Sequence, residues 1–141
     1  RLYRALLVSD LVIIHQKTGI GRLSAYCGAV SAGCGAGAGI AYLLGGDYRA
    51  IAHTIVNAVA ILSGTICDGA KPSCAAKIAS AVEAGILGYY MYVNDQQFRG
   101  GDGIVAKGVE NTIRNVGLLA SQGMKQTDRV ILNIMTGDQC L

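Results

Sequence analysis

Apolar residues recur along this chain at helical intervals, and short polar or glycine-rich breaks divide them into six segments. Leu2, Leu6, Leu7, Leu11 and Ile14 mark the first, from Leu2 to Gln16. Thr18-Gly19-Ile20-Gly21-Arg22 then breaks the pattern. Leu23 to Leu44 is the second, although Gly28, Gly33, Gly35, Gly37 and Gly39 leave its continuity open. Gly45-Gly46 ends it and offers Asp47 as a cap for the third, Ile51 to Ile66. Pro72 cannot sit inside a helix but suits a first turn, so the fourth runs from Pro72 to about Met91. Asn94 to Gly103 is the most polar stretch and reads as a loop. Asp102 is expected to cap a fifth helix, Ile104 to Ala120. Gln122-Gly123 breaks again, and Thr127 or Asp128 starts a short sixth that ends near Met135. No useful run of period-two alternation appears, so strands are not expected. The pattern predicts an all-α fold: a compact bundle of about six helices, forming one domain over residues 1–141.

Composition sharpens that picture. The 141 residues are 52% hydrophobic with 20 glycines, yet only 6% aromatic. Small residues let helix axes approach closely, so thin side-chain layers are expected. A net charge of +3, with scattered Lys and Arg, gives no basic patch for nucleic acid. Cys27 to Gly46 is uncharged and about long enough to span a bilayer. Its Gly, Ala and Ser content makes it a poor span, and a membrane protein is not expected. The chain starts at Arg1, which reads as part of a longer protein. No secretory leader is visible, because Asp10 interrupts the apolar stretch after Arg4. Five cysteines without such a leader point to a reducing, cytoplasmic setting and to uses other than disulfides.

The cysteines hold the candidate chemistry. Cys27 and Cys34 are seven residues apart, as are Cys67 and Cys74, and the two pairs are offset by forty residues. Seven residues of continuous helix separate two side chains by about 10 Å along the axis. Such a pair cannot share one metal ion at about 2.3 Å per thiolate. A common site then takes one cysteine from each pair, unless a break folds a pair together. Asp68-Gly69-Ala70-Lys71-Pro72 is such a break. It should place Cys67 at the end of one helix and Cys74 in the opening turns of the next, where exposed backbone N–H groups favour a thiolate. Neither spacing matches zinc ribbons or ferredoxin runs. On spacing alone, packed thiols, a metal or cluster site, and redox disulfides all stay open.

Four stretches carry a resemblance to a known family. They are His15-Gln16-Lys17-Thr18-Gly19-Ile20-Gly21-Arg22, the run from Ser24 to Ile40, the run from Ile66 to Lys77, and Phe98-Arg99-Gly100-Gly101-Asp102-Gly103-Ile104. Together they resemble the C-terminal part of the catalytic chain in the serine dehydratase alpha-chain family, in its L-cysteine desulfidase-like branch. The resemblance implies a lyase that uses an oxygen-sensitive [4Fe–4S] cluster and no pyridoxal phosphate. In such enzymes three cysteines hold the cluster, and an open iron acts as Lewis acid on the β-substituent of L-cysteine or L-serine. A base takes the α-proton, sulfide or water leaves, and the enamine hydrolyses to pyruvate and ammonia. Carried onto this chain, Cys27 and Cys67 match the ligand positions. Cys74 is a further candidate, at a shorter spacing than in related serine dehydratases. The third ligand of the desulfidase branch would come from an N-terminal part of the enzyme, or from another subunit. Cys34 reads as a packed thiol, and Cys140 as a candidate for the fourth iron.

Around these thiols, Lys71 and Arg22 are candidates for the substrate carboxylate, Arg22 through a bidentate contact. Asp68 and Asp102 read as helix caps, and His15 and His53 as core histidines with satisfied hydrogen bonds. No catalytic base is identified. The Gly/Ala-rich surface suggests packing against the rest of the enzyme or a homo-oligomer. Two other classes keep the same thiols without a cluster: a cysteine-ligated zinc or redox module, and a helical interaction domain without catalysis.

Overall fold

Alanine is frequent between the glycine and proline breaks, and the larger apolar residues, many of them Ile and Val, recur at helical rather than strand spacing, so helix is the conformation these segments take. The computed structural model describes residues 1–137 and shows α1 (Leu2–Ile20), α2 (Gly28–Leu43), α3 (Tyr48–Leu62), α4 (Ser73–Val93), α5 (Val109–Leu118) and α6 (Lys125–Thr136). A π-helical stretch, Leu119–Gly123, joins α5 to α6. Among the described residues there is no strand, only one isolated antiparallel bridge between Tyr26 and Ile66. No described helix is long and apolar enough to cross a membrane. The all-α bundle of six helices is as the pattern predicts.

Helix α2 is the axle of the bundle, packed on α1, α3 and α4. Its glycines do not break it; they let neighbours in. A Cβ on Gly37 would lie 2.7 Å from the Gly85 Cα of α4, and one on Gly35 would lie 2.4 Å from Ile13 of α1. The close approach expected from composition is thus built from facing small residues. The core they frame contains Ile20, Tyr26, Val30, Cys34, Val59 and Val116.

Several boundaries differ from the sequence reading. Helix α1 runs on to Ile20 and stops at Gly21, whose φ of +91° suits glycine. Its apolar stripe faces outward: Leu2, Leu7, Leu11 and Ile14 are all exposed, while Ala5 is buried. Helix α2 starts at Gly28 rather than Leu23. The Ser24 hydroxyl donates to the Ala120 carbonyl and accepts from the Tyr26 N–H, which holds this run extended. Asp47 caps α3 as expected, accepting from the Ala50 N–H at 2.9 Å. Helix α3 ends at Leu62, so Cys67 lies in the connection beyond it rather than at the helix end.

Asp102 does not cap α5. It accepts from the Arg99 N–H at 2.7 Å within the loop, and α5 starts only after Gly108, whose φ is +88°. Buried Asn57 pins that loop from below: its Nδ2 donates to the Gly88 carbonyl and its Oδ1 accepts from the Phe98 N–H, both at 2.9 Å. Buried Thr112 does the same from the α5 side, through Ala106.

Candidate functional site

The antiparallel bridge gathers the thiols. The Cys27 N–H donates to the Thr65 carbonyl at 3.2 Å, and the Cys67 N–H to the Ala25 carbonyl at 2.6 Å. Residues Tyr26 and Ile66 are therefore directly opposed. Side chains alternate along extended backbone, so Cys27 and Cys67 leave the pairing on the same face as diagonal neighbours, away from Tyr26 and Ile66. Cys27 is buried and also precedes the first residue of α2; Cys67 is half-buried. Two cysteines forty residues apart thus share one end of the bundle.

Cys74 joins them from α4, in its first turn. Its Sγ donates to the Gly69 carbonyl at 3.7 Å, across the turn that Gly69 makes at φ +92°. The end of α6 closes on the same turn, where Met135 Cε would meet a Cβ on Gly69 at 3.0 Å. Among the described residues, no three His, Cys, Asp or Glu side chains converge closely enough to hold a metal ion. Cys34 stands apart inside the core with no exposure, and burial pushes its thiol up to about 12. Tyr26 lies beside it. Burial, with lesser contributions from Cys34 and Cys27, drives its phenol well above the ordinary value, and its hydroxyl has no hydrogen-bond partner. Cys140 lies outside the described residues.

The charged group at this site is a triad rather than a cap. Asp68 accepts from Lys71 through one oxygen and from Lys77 through the other, the latter at 2.9 Å. These two hydrogen bonds, Lys71 first, hold the Asp68 carboxyl at about 2, below the usual carboxylate range. Helix α4 opens on Pro72 without any side-chain cap, which corrects the reading of Asp68 as a helix cap. Lys77 also donates to the Ile66 carbonyl at 2.8 Å. Its pKa is raised chiefly by Asp68, with smaller contributions from Cys27 and Cys74. Lys77 is thus the cation that faces the thiols, and the sequence reading passed over it. Its position one turn after Cys74 on α4 was the available signal. A cavity of about 340 Å³ beside it is lined by Ala29, Leu62, Thr65, Ser73, Lys77 and Ser80.

The other candidates fall elsewhere. Arg22 is exposed in the turn after α1 and makes no hydrogen bond or ion pair among the described residues. Neither histidine is a satisfied core residue. His15 is exposed and paired with Glu110 at 2.7 Å. His53 stacks on Tyr92 at 5.1 Å between ring centroids, and its buried Nδ1 lacks a partner.

Comparison with known proteins identifies the family. The serine dehydratase alpha chain family matches residues 1–133. A UPF0597 protein of Desulfitobacterium hafniense is 71% identical over 140 residues, and UPF0597 proteins of Finegoldia magna and Treponema denticola are 56% and 52% identical. The matches cover 95–99% of this chain but 32% of each relative, so the chain spans about a third of their length. No solved structure matches. With its Ser24–Ile40 and Ile66–Lys77 runs paired at one end of a helical bundle, the chain belongs to the serine dehydratase alpha chain family.

Proposed function

We propose that this chain is the C-terminal part of the catalytic chain of a [4Fe–4S] lyase, acting on L-cysteine or L-serine without pyridoxal phosphate. The observation that carries the reading is the backbone pairing of the Cys27 and Cys67 segments, at the end of the bundle where Lys77 also lies within electrostatic reach of Cys27 and Cys74. Thiolates are the donors iron–sulfur clusters require, and a nearby ammonium offsets their negative charge. The donor set therefore fits a cluster held by Cys27 and Cys67, with Cys74 as a third candidate. Any remaining ligand comes from another part of the longer protein, since no trio converges among the described residues. When bound, the cluster supplies a Lewis-acidic iron for the departing sulfide or water.

The chain's own residues have separate tasks in this reading. Lys77 stays protonated and balances the thiolates, anchored by Asp68 and the Ile66 carbonyl. Lys71 releases Asp68 to meet the substrate carboxylate, and Arg22, exposed in the turn five residues before Cys27, is the second candidate cation for it. The cavity beside Lys77 offers room for a small amino acid next to this cation. The outward apolar stripe of α1 packs against the remaining two thirds of the protein. A reducing, cytoplasmic setting suits this reading, because it keeps the cysteines as thiols available for a cluster.

The test is anaerobic iron–sulfur reconstitution of the full-length protein, read by its visible spectrum and by sulfide and pyruvate release. A broad band near ~400 nm with product from L-cysteine or L-serine supports the lyase. Stoichiometric zinc without that band favours a zinc module. Neither metal nor product favours a helical interaction domain. The 141-residue chain alone is expected to release neither sulfide nor pyruvate, and turnover by it would contradict the split site.

A further inference from the structure

A second cavity, of about 430 Å³, lies at the other end of α3, between its first turns, the 97–100 loop and the start of α5. Arg49 in the second position of α3 and Leu62 at its end are about 20 Å apart along the axis, so this cavity is remote from the thiols. Its volume falls within the range of small-molecule pockets. Arg49, Arg99 and Lys107 line it, with Tyr48, His53 and Phe98 as flat walls.

The charge balance here is one-sided. No acidic side chain lines the cavity among the described residues. Three carboxylates adjoining the lining in sequence form hydrogen bonds to groups other than its cationic side chains: Asp47 to the Ala50 N–H, Asp102 to the Arg99 backbone N–H and Glu110 to His15. The side chains of Arg49, Arg99 and Lys107 form no ion pair among the described residues. The first turn of α5 opens at the same cavity through Gly108 and Val109 and has no side-chain cap, so its backbone N–H groups add to the positive field. The loop that carries Arg99 is fixed by Asn57 through the Phe98 N–H, so the site is preformed rather than draped.

We propose that this pocket binds a small organic or inorganic dianion through carboxylate or phosphate oxygens, held by Arg49, Arg99 and Lys107. Two guanidinium groups suit bidentate oxyanion recognition, and three cations match two negative charges better than one. The pocket shares no residue with the thiol site.

The experiment is calorimetric titration of the full-length protein, at low ionic strength, with succinate and separately with inorganic phosphate. Saturable binding of at least one is expected, and a preference between them identifies a dicarboxylate or a phosphate site. Neutral succinamide should not bind. Arg49→Gln/Arg99→Gln should weaken the preferred anion by on the order of tenfold or more, with unchanged thermal unfolding, since both side chains are exposed. In wild-type protein the affinity should also fall as sodium chloride is raised. Failure of both anions to bind overturns the proposal, including the case in which acidic side chains of the longer protein already fill the pocket. Undiminished binding by the double variant overturns it equally.

Discussion

At the scale of single residues, Asp68 is the pivot of the thiol site. An aspartate in an unfolded chain titrates near ~3.9, whereas Lys71 and Lys77 hold the folded Asp68 at about 2. A folded pKa below the unfolded one means a stabilising contribution that is present above pH ~4. It is lost as pH falls toward 2. Asp68→Asn should therefore be less stable than wild type at pH 6, with the gap narrowing as pH falls to 3 in denaturant titrations. A gap that stays constant with pH would show that the ion pairs carry no stability. The residue types of this triad were visible in the sequence, but their pairing was not. Lys77 is nine residues from Asp68, and only the turn at Gly69 and Pro72 brings it back. The pairing of the Cys27 and Cys67 segments was one of the arrangements that spacing left open: helical rise keeps Cys27 and Cys34 from sharing a metal, whereas the Asp68–Pro72 break left Cys67 free to work with Cys74 as well. The backbone bridge that carries it left no period-two signature, since it is a single pairing.

At the scale of elements, the glycines of α2 decide how the bundle packs. Their number made continuity look doubtful, yet Gly33, Gly35, Gly37 and Gly39 each remove a side chain where α1 or α4 passes; only Gly28, at the helix start, faces open space. Gly37→Ala adds helix propensity worth under ~1 kcal/mol, but the new methyl would meet Gly85 backbone at 2.7 Å. Backbone cannot rotate aside as a side chain can, so overpacking wins. A net loss of about 1–3 kcal/mol is expected, seen as a fall in Tm of several degrees. An unchanged or raised Tm would mean that α2 and α4 are farther apart than described. Helix existence and order followed from the apolar period. Boundaries shifted where side chains satisfied backbone groups locally: Ser24 delays α2, and Asp102 serves its own loop instead of α5.

At the scale of the whole molecule, the apolar stripe whose spacing marks α1 faces solvent. Leu11 is 64% exposed and Ile14 61%, while the contacts to α2 run through Ala5, Ser9 and Ile13. Periodicity reports that a face is apolar, not what covers it. Relatives about three times longer supply a reason for an uncovered face. The central claim is that Cys27 and Cys67 act together on one cluster. Its most direct test is anaerobic reconstitution of full-length Cys27→Ser, Cys67→Ser and Cys34→Ser proteins, comparing iron content and visible absorption. The account predicts that the first two each lose the ~400 nm band and bound iron while Cys34→Ser keeps both. Full cluster loading in either Cys27→Ser or Cys67→Ser would contradict it.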